Sequence, residues 1–192
     1  MKLGVVYNVF DGEELLEGSI RQIRDHVDYV ICVTQYVSNH GEKYRGGIDE
    51  SDRLKELCLV DETIAFIPNP NSNPTRSETY KRNLGINRLK ELGCTHYLMM
   101  DCDEYYDTDD FDFAKSFIEY DDRVESTVVK LKTYYSNPEL QITPDEEYFV
   151  PFITKIRYNV GNFNNGFYCD PTRKPNVEAV FIPSIVMHHY SW

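Results

Sequence analysis

Several absences narrow this chain before any motif is considered. None of its 192 residues belongs to an apolar run of the roughly 18 needed to cross a bilayer, so no membrane span is expected. Basic residues are scarce, 20 Lys and Arg against 32 Asp and Glu, and the formal net charge of −12 disfavours a nucleic-acid backbone or an anionic membrane surface as partner. An anionic ligand would need a metal, or a few well-placed Arg and Lys, to reverse that field locally. Cysteines are few, odd in number and scattered (Cys32, Cys58, Cys94, Cys102, Cys169), with no C-x-x-C spacing. Reduced thiols in a cytoplasmic protein are therefore expected rather than a disulfide framework. The first residues run too soon into acids to form a signal peptide. No glycosylation sequon, internal repeat or low-complexity tail occurs.

Aromatics, by contrast, are plentiful, with 15 Tyr and 10 Phe, which suits a β-containing fold with a ligand-stacking surface. The length fits one domain better than two. The chain opens as β-loop-α-β. Residues 3–7 read as a buried strand and 8–12 as a loop. A capping box of Asp11 and Glu14 starts a helix to about residue 26, with Leu15, Leu16, Ile20, Ile23 and Val27 on one face. Residues 29–34 form the second strand, so a parallel sheet with right-handed crossovers is expected. A polar loop over 35–49 with Gly41, Gly46 and Gly47 reads as lying near a site. Then come a short helix over 50–59 carrying Leu54 and Leu57, a strand over 63–67, an Asn/Pro loop to Pro74, and a helix over 76–92 stopped by Gly93.

The next stretch, Thr95-His96-Tyr97-Leu98-Met99-Met100-Asp101-Cys102-Asp103-Glu104, is an apolar run that stops on three carboxylates in four positions. Such a strand end must relieve repulsion by a cation or by protonation. Carboxylates at i and i+2 can share Mg²⁺ or Mn²⁺, which keep open positions for phosphate oxygens. At the carboxyl end of a parallel sheet, this arrangement predicts a metal-held diphosphate more naturally than structural Ca²⁺. An acidic turn that merely solvates a strand end is the plain alternative. Beyond it, residues 109–120 read as a helix with Phe113, Phe117 and Ile118 inward. Residues 124–135 and 148–158 read as strands, the latter placed at an edge or bulge by Pro151. A Gly/Asn/Pro-rich loop over 159–176 is expected to be built around the site, and one or two strands close the chain over 177–188. The first half (about 1–104) reads as nucleotide-binding and the second (about 105–192) as acceptor-binding within one domain. The abrupt end after a strand and Trp192 reads as that of a piece excised from a longer protein.

The helix sequence Thr79-Tyr80-Lys81-Arg82-Asn83-Leu84-Gly85-Ile86-Asn87, followed by the apolar strand and Asp101-Cys102-Asp103-Glu104, resembles the central signature of GT-A glycosyltransferases of the family 2-like group. Glu104-Tyr105 and the terminal His188-His189-Tyr190-Ser191-Trp192 are similar to its DxDEF … HxS subset, and Asn8 and Glu14 in the opening unit also fit. The compact size resembles that of glycosyltransferase domains of large algal viruses. The resemblance implies a GT-A, α/β fold with a mostly parallel central sheet flanked by helices and an antiparallel C-terminal part.

It also implies roles. Asp101 would lie near the ribose of a nucleotide sugar, and Asp103 would ligate Mn²⁺ or Mg²⁺ across the diphosphate. Arg82 would approach the diphosphate or brace the acidic loop; an exposed helix-face Arg is its plain alternative. Val6, Tyr7 and Asn8 would line the nucleoside, with Tyr7 stacking on the base or lying in the core. A late His would be a further metal ligand. Alternation lets only one of His188 and His189 face the site, and the sequence does not choose between them. Where the family reads the base with an acid, this chain has Thr34 and Gln35. The implied reaction moves a sugar from a nucleoside-diphosphate sugar, UDP being the commonest form, to a hydroxyl of a glycan or glycoconjugate, with inversion. Inversion needs a carboxylate base; Asp170 is the first candidate, then Glu178 and Asp145, each otherwise an ordinary solvated acid. Aromatics of the 158–168 segment would stack on sugar rings or pack an edge. A nucleotidyltransferase fits less well, because Asn8-Val9-Phe10-Asp11-Gly12 offers one Gly and no basic residue. A phosphatase is disfavoured by Glu104-Tyr105, and a carbohydrate- or Ca²⁺-binding module leaves the Arg82-Asn83 helix unexplained.

Overall fold

The computed structural model describes residues 1–10, 13–40, 50–69 and 71–191. The expected cap Asp11, Gly12, the loop residues Gly41, Gly46 and Gly47, Pro70 and Trp192 lie outside the described residues. The opening unit is β1 (Leu3–Val9), α1 (Glu13–Ile23), a 3-10 turn at Arg24–His26 and β2 (Tyr29–Thr34), with β1 and β2 parallel. β1 continues two residues past the expected end at Tyr7, which carries Asn8 into the sheet rather than the loop. On α1, Leu16, Ile20 and Ile23 are fully buried, worth about 1.5–3 kcal/mol each. Leu15, expected on the same face, lines an open cleft instead.

Helix α2 (Glu50–Glu56) buries Leu54, but it stops before Leu57, which is 47% exposed. Cys58 then takes φ 58, a left-handed exit that turns Leu57 away from the core. β3 (Glu62–Ala65) ends before Ile67, which is solvent-exposed. α3 (Pro74–Glu91) starts two residues earlier than the expected Arg76. Asn73 caps it through Oδ1, which accepts from Thr75 N at 2.9 Å, and Pro74 occupies the first position, where a missing N–H costs nothing. Gly93, at φ 77, ends this segment as expected. Gly85 sets how closely α3 sits on β1, since a Cβ there would lie 2.3 Å from Val6 Cγ1.

β4 (His96–Asp101) is followed by β5 (Glu104–Tyr106), a short strand that the acidic stretch did not announce. α4 (Thr108–Tyr120) buries Phe111, Ala114 and Ile118 and packs Phe117 against the same core, so of the three residues expected inward only Phe113 is exposed. The remaining strands are β6 (Ser126–Tyr135), β7 (Phe149–Lys155), β8 (Val160–Gly161), β9 (Lys174–Pro175) and β10 (Val180–Ser191). Pro151 lies in the sheet interior rather than at an edge, β7 standing between β4 and β6. Its missing N–H is tolerated because β4 pairs with β7 only at His96 and Tyr97, and the β6 register shifts between Ser126 and Val128, as a bulge does.

The main sheet has eight strands in the order β3-β2-β1-β4-β7-β6-β10-β5. β7 and β5 run against the other six. This is the expected α/β architecture, a mostly parallel sheet flanked by helices with its antiparallel part from the C-terminal half. One apolar layer joins α1 and α4 to the sheet through Leu16, Ile20, Phe111 and Phe152. The other joins α3 through Ile86 and Leu89 to Val6, Ile31 and Met99. Because β1, β2, β4 and β10 run the same way, Asn8, Gln35, Asp101 and His189 meet at one carboxyl edge.

Candidate functional site

Asp101 ends β4 directly beside Asn8 of β1. The chain turns through Cys102 and Asp103 and returns as β5, antiparallel to β10, which places Glu104 opposite His189 and Tyr105 opposite His188. Tyr190 N donates to the Asp103 carbonyl at 2.9 Å and closes the turn. The three clustered acids are thereby sent into three different surroundings.

Two of them are neutralised by arginines. Asp101 Oδ1 lies 3.1 Å from Arg82 Nη1, Arg82 Nη2 donates to its Oδ2 at 3.2 Å, and Arg173 Nη1 is 3.5 Å away. Burial alone would raise this carboxyl's pKa, but Arg82 and Arg173 hold it well below the usual carboxylate range. Glu104 is buried and takes both terminal nitrogens of Arg173, Nη2 at 2.8 Å. Burial pushes the Glu104 carboxyl up while Arg173 opposes it. Glu104 Oε2 also accepts from Asp101 N at 3.0 Å, so the side chain ties the turn to the end of β4. Arg82 makes a further bond to Glu78 at 2.7 Å. It is a brace, fully buried, and not an exposed helix-face residue.

Arg173 was not among the residues singled out from sequence. It follows a turn in which Asp170 Oδ1 accepts from Thr172 N at 2.7 Å and from Thr172 Oγ1 at 2.8 Å. Asp170-Pro171-Thr172 is a recognisable turn sequence, but nothing local says that the next residue crosses to β4.

The third acid, Asp103, faces a cleft of about 790 Å³ lined by Asn8, Gln35, Asn39, Lys81, Asp103 and His189, among others. His189 Nε2 lies 3.2 Å from Asp103 Oδ2, and that contact raises the imidazole pKa. Adjacent ligands of an octahedral ion with bonds of 2.0–2.1 Å stand about 3 Å apart, so these two atoms fit neighbouring positions around Mg²⁺ or a similar ion. Among the described residues no third His, Cys, Asp or Glu joins them. Mg²⁺ tolerates that, since it commonly keeps waters and binds through one or two carboxylates plus phosphates. Asp101 lines the same cleft, yet its carboxylate is already committed to two guanidiniums. The Oδ1 of Asn8, Oε1 of Gln35 and Oδ1 of Asn39 are buried without a protein partner. Unpaired buried acceptors are costly, and at a cleft they await a donor.

The other sequence candidates separate. Val6 and Tyr7 are buried in the core, and Tyr7 Oη bonds to Ser19 Oγ at 2.8 Å, so of the two readings of Tyr7 the core one holds. His188 points to the opposite face, where its Nδ1 lies 3.0 Å from Tyr134 Oη. Thr34 is buried at the end of β2, with Gln35 beyond it at the cleft. A second cleft of about 240 Å³ shares Asp101 and His189 with the first, and Glu146, Tyr148, Asp170 and Arg173 also line it. Asp170 thus sits near the site, whereas Glu178 and Asp145 are exposed and line neither cleft. Glu146, the neighbour of Asp145, was missed because an acid within Asp145-Glu146-Glu147 carries no signal of its own. Of the aromatics in the 158–168 segment, Tyr168 packs edge-on against Tyr148, and Phe167 lies tilted against Phe149.

No family model matches this chain, and no curated protein matches it. Among solved structures, S. aureus TarS 1-349 aligns with a TM-score of 0.46 at 16% identity, over 71% of this chain and 37% of that one. TarS 1-349 in complex with UDP-GlcNAc gives 0.46 and 16% over 71% and 36%. Mannose-1-phosphate geranyltransferase from Thermus thermophilus gives 0.39 and 14% over 81% and 50%. The chain therefore spans little more than a third of the TarS fragment and half of the Thermus protein. Likenesses this distant do not assign residues or activity, and they do not extend the resemblance to algal-virus domains.

Proposed function

We propose that this chain is a metal-dependent glycosyltransferase that moves a sugar from a nucleoside-diphosphate sugar to a hydroxyl of a glycan or glycoconjugate, with inversion. The observation that carries the reading is the Asp103–His189 pair, 3.2 Å apart on a roomy cleft at the carboxyl edge of the sheet, where open α/β sheets bind ligands. When bound, a divalent ion held by Asp103 and His189 supplies Lewis-acid stabilisation of the leaving diphosphate. Asn8, Gln35 and Asn39 read the nucleoside. An amide presents both a carbonyl and an N–H pair, which suits the alternating acceptor, donor and acceptor edge of uracil, and UDP is the base form we favour. Arg82 and Arg173 hold the turn rigid, so that Asp103 is presented without reorganisation.

Glu146 is our choice for the base. It lines the cleft that adjoins the metal pair, and Thr133 Oγ1 orients it at 2.6 Å. Its carboxylate takes the acceptor hydroxyl's proton as that oxygen bonds to the anomeric carbon. On the opposite face of the sugar the bond to the diphosphate breaks, and the diphosphate leaves with both electrons. Asp170, with one oxygen already spent on Thr172, ranks second. A Ca²⁺ cage is disfavoured, because that ion takes six to eight oxygens and the described residues gather no group of three ligands. No helix among the described residues is long and apolar enough to cross a membrane, and we assign the protein to the cytoplasm on its buried thiols Cys32, Cys94, Cys102 and Cys169.

Calorimetric titration with UDP, with and without Mn²⁺, tests the reading. Binding should require the ion and should be lost in Asp103→Ala. Binding that ignores the ion, or no binding of any nucleotide, overturns it. NMR of the products from a panel of UDP-sugars then identifies the donor and the anomeric outcome.

A further inference from the structure

Helix α3 turns one charged side chain into the protein that neither the fold nor the arginine brace accounts for. Lys81 is 1% exposed. Its ammonium has three N–H groups, and the bond in place is to the carbonyl of Val9 at the end of β1, at 2.7 Å. No carboxylate among the described residues comes within ion-pairing distance of it. The nearest acids are spoken for: Asp101 is held by Arg82 and Arg173, and Glu78 by Arg82 and Thr172. Arg82, the adjacent residue, adds positive charge.

A buried ammonium without a counter-ion costs several kcal/mol, and buried charges of this kind in clefts cluster at functional sites. Lys81 also lines the large cleft, together with Asn8, Asp101 and Asp103. An anion that enters by that opening can reach it. Among the described residues Lys81 is the one Lys or Arg that lines this cleft, whose acids are Glu78, Asp101 and Asp103.

We propose that Lys81 is the protein-borne half of an anion site in the cleft, completed by a diphosphate oxygen of the bound nucleotide; this rests on the donor reading given above. The site divides the work of reversing a strongly acidic chain's field. Asp103 and His189 face the ion, while Lys81 holds the diphosphate directly from the helix side. It also makes the apo protein carry a penalty that the ligand removes, so binding and stability are coupled through one atom.

The test compares wild type with Lys81→Met, and with Lys81→Gln, which keeps a donor for the Val9 carbonyl should the Met variant fail to fold. UDP with Mn²⁺, uridine and inorganic pyrophosphate with Mn²⁺ are each titrated calorimetrically. UDP and pyrophosphate affinities should fall by about 10- to 100-fold, as expected for one charge-assisted hydrogen bond, while uridine affinity stays within about twofold of wild type. A role confined to packing would weaken uridine equally, and that outcome overturns the proposal, as does UDP binding unchanged in both variants. If wild-type protein binds no UDP, the donor reading fails by itself, and pyrophosphate then decides: loss on substitution supports the anion site, and no binding to wild type overturns it too.

Discussion

Arg173 reaches Glu104 across 69 positions of sequence and grips its carboxylate with both terminal nitrogens, while its Nη2 also donates to the Met99 carbonyl at 2.6 Å. All three groups are buried, so the interaction is a structural commitment. Breaking one side of such a pair leaves an uncompensated charge and costs about 3–5 kcal/mol, whereas replacing both sides is far less harmful. Arg173→Met and Glu104→Gln should each lower unfolding free energy in urea by about that amount. The double variant should lose well under the sum of the two. Additivity would mean that the two side chains do not depend on each other and that the brace is misread.

The brace also shows how far the sequence could be read. Asp101, Asp103 and Glu104 were visible as a charge problem at a strand end, and Arg82, Asn83 and Gly85 as a pattern before it. The structure gives each a cause. Arg82 neutralises Asp101, Gly85 admits Val6, and Asn83 pairs both its amide groups with Val160 at 2.9 and 3.0 Å. Arg173 and Glu146 stayed hidden because their partners lie on distant strands and no local period points to them. Tyr7 stayed open between cleft and core for the opposite reason. A strand buried on both faces gives every side chain the same apolar signature, so core and cleft look alike until the register is known.

Register decides between the terminal histidines. His189 faces Asp103 at 3.2 Å, and His188, one residue earlier, stacks against Tyr134 on the other face. His189→Ala should weaken Mn²⁺ binding by at least the roughly 10- to 100-fold that even outer-shell partners are worth, measured by calorimetry or by the free-Mn²⁺ signal in electron paramagnetic resonance. His188→Ala should leave Mn²⁺ affinity near wild type. Equal losses from the two would remove His189 from the ligand set.

Glu146 and Asp170 line the same small cleft but are held differently, Glu146 by a side-chain hydroxyl and Asp170 by the backbone and hydroxyl of Thr172. Glu146→Gln should cut kcat by about 10²- to 10⁴-fold with KM for the donor little changed, the effect of losing a general base. Asp170→Asn should act through the Arg173 turn and show itself first as lowered stability. Glu178→Gln and Asp145→Asn should change neither. A Glu146→Gln enzyme with full kcat would return the role of base to Asp170.

Lys81 makes a pH-dependent prediction for the ligand-free protein. Its surroundings are Arg82, Asp101, Cys102 and Glu78, and burial, followed by the charge of Arg82, brings its pKa from 10.5 down to about 7. Between those two values the unfolded chain binds a proton at this position that the folded one has released, so stability from this group rises with pH across that interval. Below about pH 7 both states are protonated and the full burial penalty is present; above 10.5 it is gone. At about 1.4 kcal/mol per pH unit the penalty is on the order of 5 kcal/mol. Urea unfolding of wild type and Lys81→Met, in metal-free buffer from pH 7 to 10, isolates it, because other groups titrate alike in both proteins. Lys81→Met should be the more stable protein at neutral pH, and its advantage should shrink steadily as the pH approaches 10. An advantage independent of pH would place the gain in packing and would leave the ammonium with no cost for a ligand to relieve.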